Sequence, residues 1–270
     1  MRQLKDKVVV ITGGSSGIGK ALVAASLEHG AKVAVCARNL EKLTGLFIPS
    51  DDLFCFKADV SNEQDCKAFM AAVTQRWGGV DVLINNAGIS MRALFEDVDL
   101  AVIKELMDIN FWGSVYCTKY ALPAIMKSKG VVAGVSSIAG YRGLPGRTGY
   151  SASKFAMHGF LEALRTELLH TGVHIMWVSP GFTASNIRNV ARSSDGSAQA
   201  ETPLDEQKLM TAEECAHRII KGIIKRKRTI IMTGQGKLTV FLNKLVPGIV
   251  DKLVYKHFLH EPDSPLKKYL

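Results

Sequence analysis

Short apolar runs alternate with longer helical patterns along this chain, and that alternation constrains its fold most. Strand-length runs occur at residues 7–12, 32–37, 53–57, 80–84, 131–136, 173–179 and 229–232. Helical spacing of apolar residues predicts helices at 18–29, 62–77, 98–127 (interrupted near Asn110), 150–170 and 212–225. Strands that are apolar throughout are typical of a parallel sheet covered on both faces. The sequence therefore predicts an α/β protein with one doubly wound parallel sheet of about seven strands.

A glycine-rich loop joins the first predicted strand to the first predicted helix. Residues 12–19 read TGGSSGIG, a G-x-x-x-G-x-G spacing rather than G-x-G-x-x-G. Glycines at this position let the backbone approach a diphosphate, whose charge lies at the helix N-terminus. A glycine cluster alone also suits an ordinary turn, but its place between strand and helix favours nucleotide binding.

A tyrosine and a lysine lie four residues apart on one predicted helix. Tyr150 and Lys154 therefore share a helix face. A free tyrosine hydroxyl, with a pKa of about 10, exchanges protons poorly near neutrality, and a neighbouring ammonium lowers that pKa. Ser137 is a candidate hydrogen-bond donor to a substrate oxygen, with Ser136 as the alternative on the opposite strand face. These residue types suit acid/base chemistry at a carbonyl oxygen, although Tyr–Lys pairs also occur on ordinary amphipathic helices.

The ordered motifs resemble those of the short-chain dehydrogenase/reductase family. The family patterns T-G-x-x-x-G-x-G, N-N-A-G, Y-x-x-x-K and P-G are matched at residues 12–19, 85–88, 150–154 and 180–181. The matches extend from residue 5 to about 232. The resemblance implies a Rossmann-type fold that forms homodimers or homotetramers. It also implies an oxidoreductase that transfers a hydride between a nicotinamide cofactor and a carbonyl or secondary alcohol.

The same resemblance assigns roles to individual residues. It implies that Tyr150 is the general acid/base, that Lys154 also binds the nicotinamide ribose, and that Ser137 orients the carbonyl. Asn110 would help to hold a water that links the lysine to solvent. The implied cofactor-binding residues are Gly13, Ser15, Ser16, Gly17, Ile18, Gly19, Asp59, Val60, Asn86, Ala87, Gly88, Tyr150, Lys154, Pro180, Gly181, Thr183 and Ser185. Ser185 stands where the family often has threonine.

The end of the second predicted strand bears on the choice of cofactor. NAD-specific relatives usually place an acidic residue there, to accept hydrogen bonds from the ribose hydroxyls. This chain has Ala37 followed by Arg38, which can pair with a 2′-phosphate. The sequence therefore favours NADP(H) over NAD(H). The alternative is that Arg38 is simply an exposed residue that starts a loop. Lys20, just after the glycine loop, is a second and weaker candidate to contact the phosphate.

The charge distribution divides the chain into two parts. The net charge is +9, yet residues 221–270 contain 11 basic and three acidic residues. We predict an NADP-binding catalytic domain at 1–235, with a variable substrate loop at about 182–210, and a basic amphipathic extension at 236–270. Arg142 and Arg147 are candidates to line the site, either for an acidic substrate or as a solvated rim.

The extension carries apolar residues at nearly helical spacing with lysines between them, and Pro247 would divide it into two helices. This pattern suits contact with an anionic membrane surface. Family members that act on steroids and other lipids have similar apolar C-terminal helices. That similarity predicts a lipophilic small-molecule substrate and peripheral membrane contact. Packing on the domain or on a second subunit stays open.

Composition excludes several other classes of protein. The nearly neutral body argues against nucleic-acid binding. The chain begins without an apolar signal region and has no apolar run of bilayer length, so we expect a cytoplasmic protein, with the membrane surface as an alternative location. The five cysteines have no metal-ligand spacing, and no metal site is expected. The alternative functions are a non-catalytic nucleotide sensor and a membrane-surface interaction protein.

Overall fold

One parallel sheet occupies the middle of the molecule. The computed structural model describes residues 3–183, 187–199 and 209–270. Within these ranges the strands are β1 (Val8–Thr12), β2 (Lys32–Ala37), β3 (Leu53–Lys57), β4 (Val82–Asn85), β5 (Val131–Val135), β6 (His174–Ser179) and β7 (Thr229–Ile231). They lie in the order β3-β2-β1-β4-β5-β6-β7, and every neighbouring pair is parallel. The predicted doubly wound α/β architecture is confirmed.

Helices connect the strands and cover both faces of the sheet. They are α1 (Gly17–Glu28), α2 (Leu40–Leu46), α3 (Glu63–Trp77), α4 (Leu100–Leu106), α5 (Gly113–Ser128), α6 (Thr148–Glu167), α7 (Ala212–Ile224), α8 (Gly234–Leu245) and α9 (Pro247–Leu259). A π-helical turn, Met107–Trp112, lies between α4 and α5, and short 3₁₀ turns occur at Ile138–Gly140 and Pro265–Tyr269.

The two faces of the sheet bury different side chains of the same strands. In β1, Val8 and Val10 belong to the core beneath α3, α5 and α6, whereas Val9 and Ile11 belong to the core beneath α1 and α7. Successive strand side chains point to opposite faces, so burial on both faces requires an apolar residue at every position. This requirement explains why the strands were visible in the sequence as uninterrupted apolar runs.

The strand order places a crevice at the carboxyl end of the sheet. The chain leaves β1 toward β2 on one side, and it leaves β4 toward β5 on the other. Ligands of open α/β sheets bind where the strand order reverses in this way, because the connecting loops diverge there. The loops after β1 and β4 are therefore the first place to look for a functional site.

The C-terminal helices pack back onto the body of the chain. Residues Phe258 and Leu266 are buried with Leu94 in a small third core. Pro247 stands at the start of α9, where its missing N–H costs no helical hydrogen bond. Among the described helices, none has the length and apolar content needed to cross a bilayer.

Candidate active site

A cavity of about 500 Å³ lies at the carboxyl ends of β1, β4, β5 and β6. This volume is within the range of small-molecule sites. Most of the predicted site residues line it, namely Gly13, Ser15, Ser16, Gly17, Ile18, Gly19, Arg38, Asp59, Val60, Asn86, Ala87, Gly88, Ser137, Tyr150, Lys154, Pro180, Gly181 and Thr183. Asn110 lies behind the cavity wall, and Ser185 falls outside the described residues.

The glycine loop approaches its neighbours too closely to carry side chains. Gly13 has a φ of 74°, and a Cβ atom there would lie 2.8 Å from the Cα atom of Ala87. A Cβ atom on Gly19 would lie 2.0 Å from the carbonyl oxygen of Gly13. The Asn86 amide nitrogen donates hydrogen bonds to the carbonyl oxygens of Thr12 (2.9 Å) and Gly13 (3.0 Å). The loops after β1 and β4 are thereby fixed against each other.

The N-terminus of α1 faces the cavity beside this loop. Ser16 precedes the helix, and its side chain caps none of the first-turn N–H groups. Such uncapped N–H groups, together with the helix dipole, favour an anion. The loop and the helix terminus therefore fit the diphosphate of a nicotinamide dinucleotide.

Two cationic side chains border the cavity beyond β2. Arg38 directly follows the strand, and Lys42 lies in α2; both are exposed and line the cavity. Asn39 caps α2 by accepting a hydrogen bond from the backbone N–H of Lys42 at 2.8 Å. Sequence reasoning missed Lys42 because it did not predict α2, which has only seven residues and buries one of them, Leu43.

Three of the four side chains predicted to take part in catalysis meet at the opposite end of the cavity. Ser137 begins the 3₁₀ turn after β5, and its Oγ accepts a hydrogen bond from the backbone N–H of Ala139 at 3.2 Å. Tyr150 and Lys154 lie in the first turns of α6, with the lysine Nζ 5.7 Å from the centre of the tyrosine ring. The Lys154 Nζ also donates a hydrogen bond to the carbonyl oxygen of Val135 at 3.0 Å.

Burial dominates the proton affinities of this pair. Desolvation raises the pKa of Tyr150, while a hydrogen bond with Ser137 and the positive charge of Arg147 lower it. Desolvation lowers the pKa of Lys154 to about 8, and only 3% of this residue is exposed. The protein by itself thus favours the neutral phenol and brings the lysine close to its own titration near neutral pH.

The neighbouring serines have different environments, as strand alternation predicts. The hydroxyl of Ser137 reaches Tyr150. Ser136 Oγ is buried and has no hydrogen-bond partner among the described residues. Ser136 also lines the cavity, but a Cβ atom on Gly140 would lie 2.9 Å from both Ser136 Oγ and His158 Nε2, so the Ser136 hydroxyl lies beside Gly140 and His158. This geometry favours Ser137 over Ser136 as the substrate-facing hydroxyl.

Asn110 is fully buried in the π-helical turn. Its Oδ1 accepts a hydrogen bond from the backbone N–H of Ile89 at 2.8 Å, and its Nδ2 donates to the Ile89 carbonyl oxygen at 3.0 Å. Nδ2 also donates to Ser153 Oγ at 2.9 Å, next to Lys154. The side chain therefore joins the loop after β4 to α6. Its predicted part in holding a water stays a prediction.

Solved structures with the same fold include enzymes of one family. The chain superposes on a short-chain dehydrogenase from Streptomyces avermitilis with a TM-score of 0.78, at 25% identity over 92% of this chain and 96% of that one. A short chain dehydrogenase/reductase from Burkholderia phymatum, solved in complex with NAD, gives a TM-score of 0.79 at 22% identity and the same coverages. Together with the cavity, these likenesses define a nucleotide-binding Rossmann fold.

Sequence relatives identify the family. Residues 7–196 match the family described as short chain dehydrogenase. A protein of Arabidopsis thaliana named 11-beta-hydroxysteroid dehydrogenase-like 4A is 34% identical over 254 residues, which cover 92% of this chain and 83% of the relative. Dehydrogenase/reductase SDR family member 7B of Mus musculus is 32% identical over 264 residues, covering 93% and 81%. The chain belongs to the short-chain dehydrogenase/reductase family, whose members are oxidoreductases acting on alcohol and carbonyl groups.

Proposed function

We propose that this oxidoreductase uses NADP(H) to interconvert a carbonyl and a secondary alcohol of a lipophilic substrate, with Tyr150 as the general acid/base. One observation carries the proposal. Ser137, Tyr150 and Lys154 border the same cavity as the glycine loop and the uncapped N-terminus of α1. A dinucleotide held at that loop would extend toward the three side chains.

Each side chain has a defined task in carbonyl reduction. A bound nicotinamide supplies the hydride, or accepts it in the reverse direction. Ser137 donates a hydrogen bond to the substrate oxygen, and Tyr150 gives its phenolic proton to that oxygen as negative charge develops. Lys154, when protonated, stabilises the phenolate that remains and favours its formation. In alcohol oxidation, the phenolate accepts the hydroxyl proton instead.

Arg38 and Lys42 support the preference for NADP(H). Both cations border the cavity next to β2, and the strand ends in Ala37 rather than in a carboxylate. A 2′-phosphate at this position would gain charge-assisted hydrogen bonds, and no carboxylate at the strand end would repel it.

The exposed apolar surface of α8 and α9 supports a lipophilic substrate and peripheral contact with a membrane. Its members are Leu238, Phe241, Leu245, Val246, Ile249, Leu253 and Tyr255. Exposed lysines at 237, 244, 252 and 256 alternate with them. Exposed apolar side chains interspersed with lysines suit an anionic bilayer interface. We also propose a homodimer or homotetramer, supported by the exposed Trp112 and Phe155.

Replacement of Tyr150 by phenylalanine tests the central proposal. We expect kcat to fall roughly a hundred- to ten-thousandfold, because general acid catalysis contributes about that much. NADPH binding, followed by fluorescence, should survive because the ring remains. Turnover is measured with NADPH and NADH against steroid, fatty-acyl, sphingoid and sugar carbonyls. Full activity of Tyr150→Phe would reject the mechanism, and the absence of turnover by the unmodified chain across the panel would favour a non-catalytic nucleotide sensor.

A further inference from the structure

A carboxylate from the C-terminal segment is buried between two arginines beside the cavity. Glu261 follows α9, and 5% of its side chain is exposed. Its Oε2 lies 3.5 Å from Arg92 Nη2, and both carboxylate oxygens lie 3.4 Å from Arg147 Nη2. A buried carboxylate is costly unless it is paired, so this position is specified by its partners.

Arg147 connects this ion pair to the catalytic centre. It immediately precedes α6, three residues before Tyr150, and it lines the same cavity. Its guanidinium lies 4.7 Å from the ring centre of Phe258, which belongs to the same C-terminal segment as Glu261. The charge of Arg147 acts on Tyr150 and lowers the pKa of its phenol.

The apolar packing around Glu261 joins the same parts of the chain. Phe258 and Leu266 form the third core with Leu94, and Leu144 packs against them while it also lines the cavity. The backbone N–H of Ala93 donates a hydrogen bond to the Gly146 carbonyl oxygen at 2.9 Å. The loop after β4, the loop before α6 and the C-terminal segment therefore form one packed wall.

We propose that Glu261 is a positioning residue of the acid/base step, which holds Arg147 in the wall and offsets its charge beside Tyr150. This role rests on the proposed function of Tyr150. The charge of Arg147 favours the phenolate of Tyr150, and the adjacent carboxylate of Glu261 reduces that effect. The C-terminal segment, which the family motifs do not include, thereby sets the charge environment of the catalytic tyrosine.

The other charged groups around Tyr150 have arrangements of their own. Lys154 lies one turn along α6, and Arg92 shares the carboxylate of Glu261. Arg188 and Arg192 line the cavity from the described part of the substrate loop. Arg192 is paired with Glu105 at 2.6 and 2.8 Å, and Arg188 donates a hydrogen bond to the carbonyl oxygen of Thr183 at 3.1 Å. Lys154, Arg188 and Arg192 keep their surroundings when Glu261 is replaced, whereas Arg92 loses the same carboxylate as Arg147.

Two substitutions and their combination test the proposal through shifts of opposite sign. We measure the pH dependence of kcat/KM and, independently of turnover, the ultraviolet difference titration of the phenol against Tyr150→Phe. Glu261→Gln should move the pKa of Tyr150 down by on the order of half a pH unit, because Arg147 loses its counter-charge. Arg147→Gln should move it up. In the double variant most of the Glu261→Gln shift should disappear.

A matched control removes another carboxylate from the same segment. Asp251 in α9 pairs with Arg142, so Asp251→Asn also loosens a C-terminal contact and removes one negative charge. Asp251→Asn should leave the pKa of Tyr150 unchanged. If the role of Glu261 were purely structural, Glu261→Gln would lower the rate without changing the pKa of Tyr150, or Asp251→Asn would change that pKa in the same way. Either outcome overturns the proposal.

The outcomes separate this proposal from the one on which it rests. Full activity of Tyr150→Phe would remove the proposed function itself. An inactive Tyr150→Phe, combined with an unmoved titration in Glu261→Gln and Arg147→Gln, would reject the positioning role alone. If circular dichroism shows that Glu261→Gln does not fold, Arg147→Gln decides, and an unmoved titration in that variant overturns the proposal.

Discussion

At the scale of single residues, a small number of hydrogen bonds from buried or half-buried polar side chains fixes the loops of this site. Asn86 fixes the glycine loop through two hydrogen bonds, and Asn110 joins the loop after β4 to α6. Arg38 differs from them because it is exposed, and a ligand would supply its partner. Specificity for the cofactor is therefore expected to depend on a side chain that contributes little to the fold.

Replacing Arg38 by glutamine should weaken binding of NADPH specifically. Charge-assisted hydrogen bonds contribute roughly 1.5–3 kcal/mol, so we expect KM for NADPH to rise about ten- to a hundredfold. KM for NADH should change little, because NADH has no 2′-phosphate. Steady-state kinetics with both cofactors measure this. Lys20→Gln is the matched control, since Lys20 also carries a positive charge near the loop but does not line the cavity. An equal rise for both cofactors would contradict the assignment.

At the scale of elements, apolar periodicity predicted the buried strands of the sheet. It did not predict the mostly exposed helix α2. The strands were predictable because both faces are covered. The helical stretch predicted at 98–127 is divided by the π-helical turn around Asn110, and the predicted interruption is confirmed. Helix α2 was missed because it is only seven residues long and buries a single residue, Leu43. In α8 and α9 the periodicity did predict helices, but it could not tell which apolar residues would stay exposed.

Polar replacements on α8 and α9 should weaken membrane binding without unfolding the chain. Leu245 and Ile249 are 63% and 58% exposed. Burying such side chains in a bilayer interface contributes about 1.5–3 kcal/mol each when burial is complete. The double variant Leu245→Ser with Ile249→Ser should therefore bind vesicles of anionic phospholipid at least about tenfold more weakly in flotation.

The control for this experiment is an equal change on a distant surface. Leu46 and Ile48, next to the β3 edge of the sheet, are also exposed, and serine at both positions should leave flotation unchanged. If neither the unmodified chain nor either variant floats, the apolar surface of α8 and α9 does not bind membranes of this composition.

At the scale of the whole molecule, the site residues that belong to short sequence motifs could be predicted from the sequence. Contacts between segments that are distant in the sequence could not. Tyr150, Lys154 and the glycine loop lie in short patterns that specify chemistry together. The contact between Glu261 and Arg147 joins positions 114 residues apart, and neither residue belongs to a local pattern. Long-range ion pairs depend on how the layers pack, so one sequence gives no signal for them.

Lys154, the proposed partner of Tyr150 in catalysis, is expected to reduce the stability of the whole fold. Its pKa in the folded chain is about 8, against 10.5 for a free lysine, because burial penalises the ammonium. Between these values the unfolded chain binds more protons, so stability rises as pH rises through that window, and below pH 8 the full cost is present. Lys154→Met should therefore stabilise the protein most below pH 8, by no more than roughly 3 kcal/mol. The lost hydrogen bond to Val135 offsets part of this gain.

Chemical denaturation across this pH range measures the effect. The difference in unfolding free energy between Lys154→Met and the unmodified chain should shrink as the pH rises through the window. Lys221→Met, at an exposed position on α7, should show no comparable trend. A stability difference that stays constant with pH would mean that burial does not perturb Lys154.

The ion pair between Arg147 and Glu261 can form only late in the synthesis of the protein, because the two residues are far apart in the chain. A ribosome that adds roughly 5–20 residues each second needs on the order of ten seconds to pass from one of these residues to the other. Once residue 181 has been added, the nascent chain holds all the family motifs named above, while Arg147 still lacks its carboxylate partner. Translation, rather than collapse of the sheet, therefore sets the earliest moment at which the cavity wall is complete.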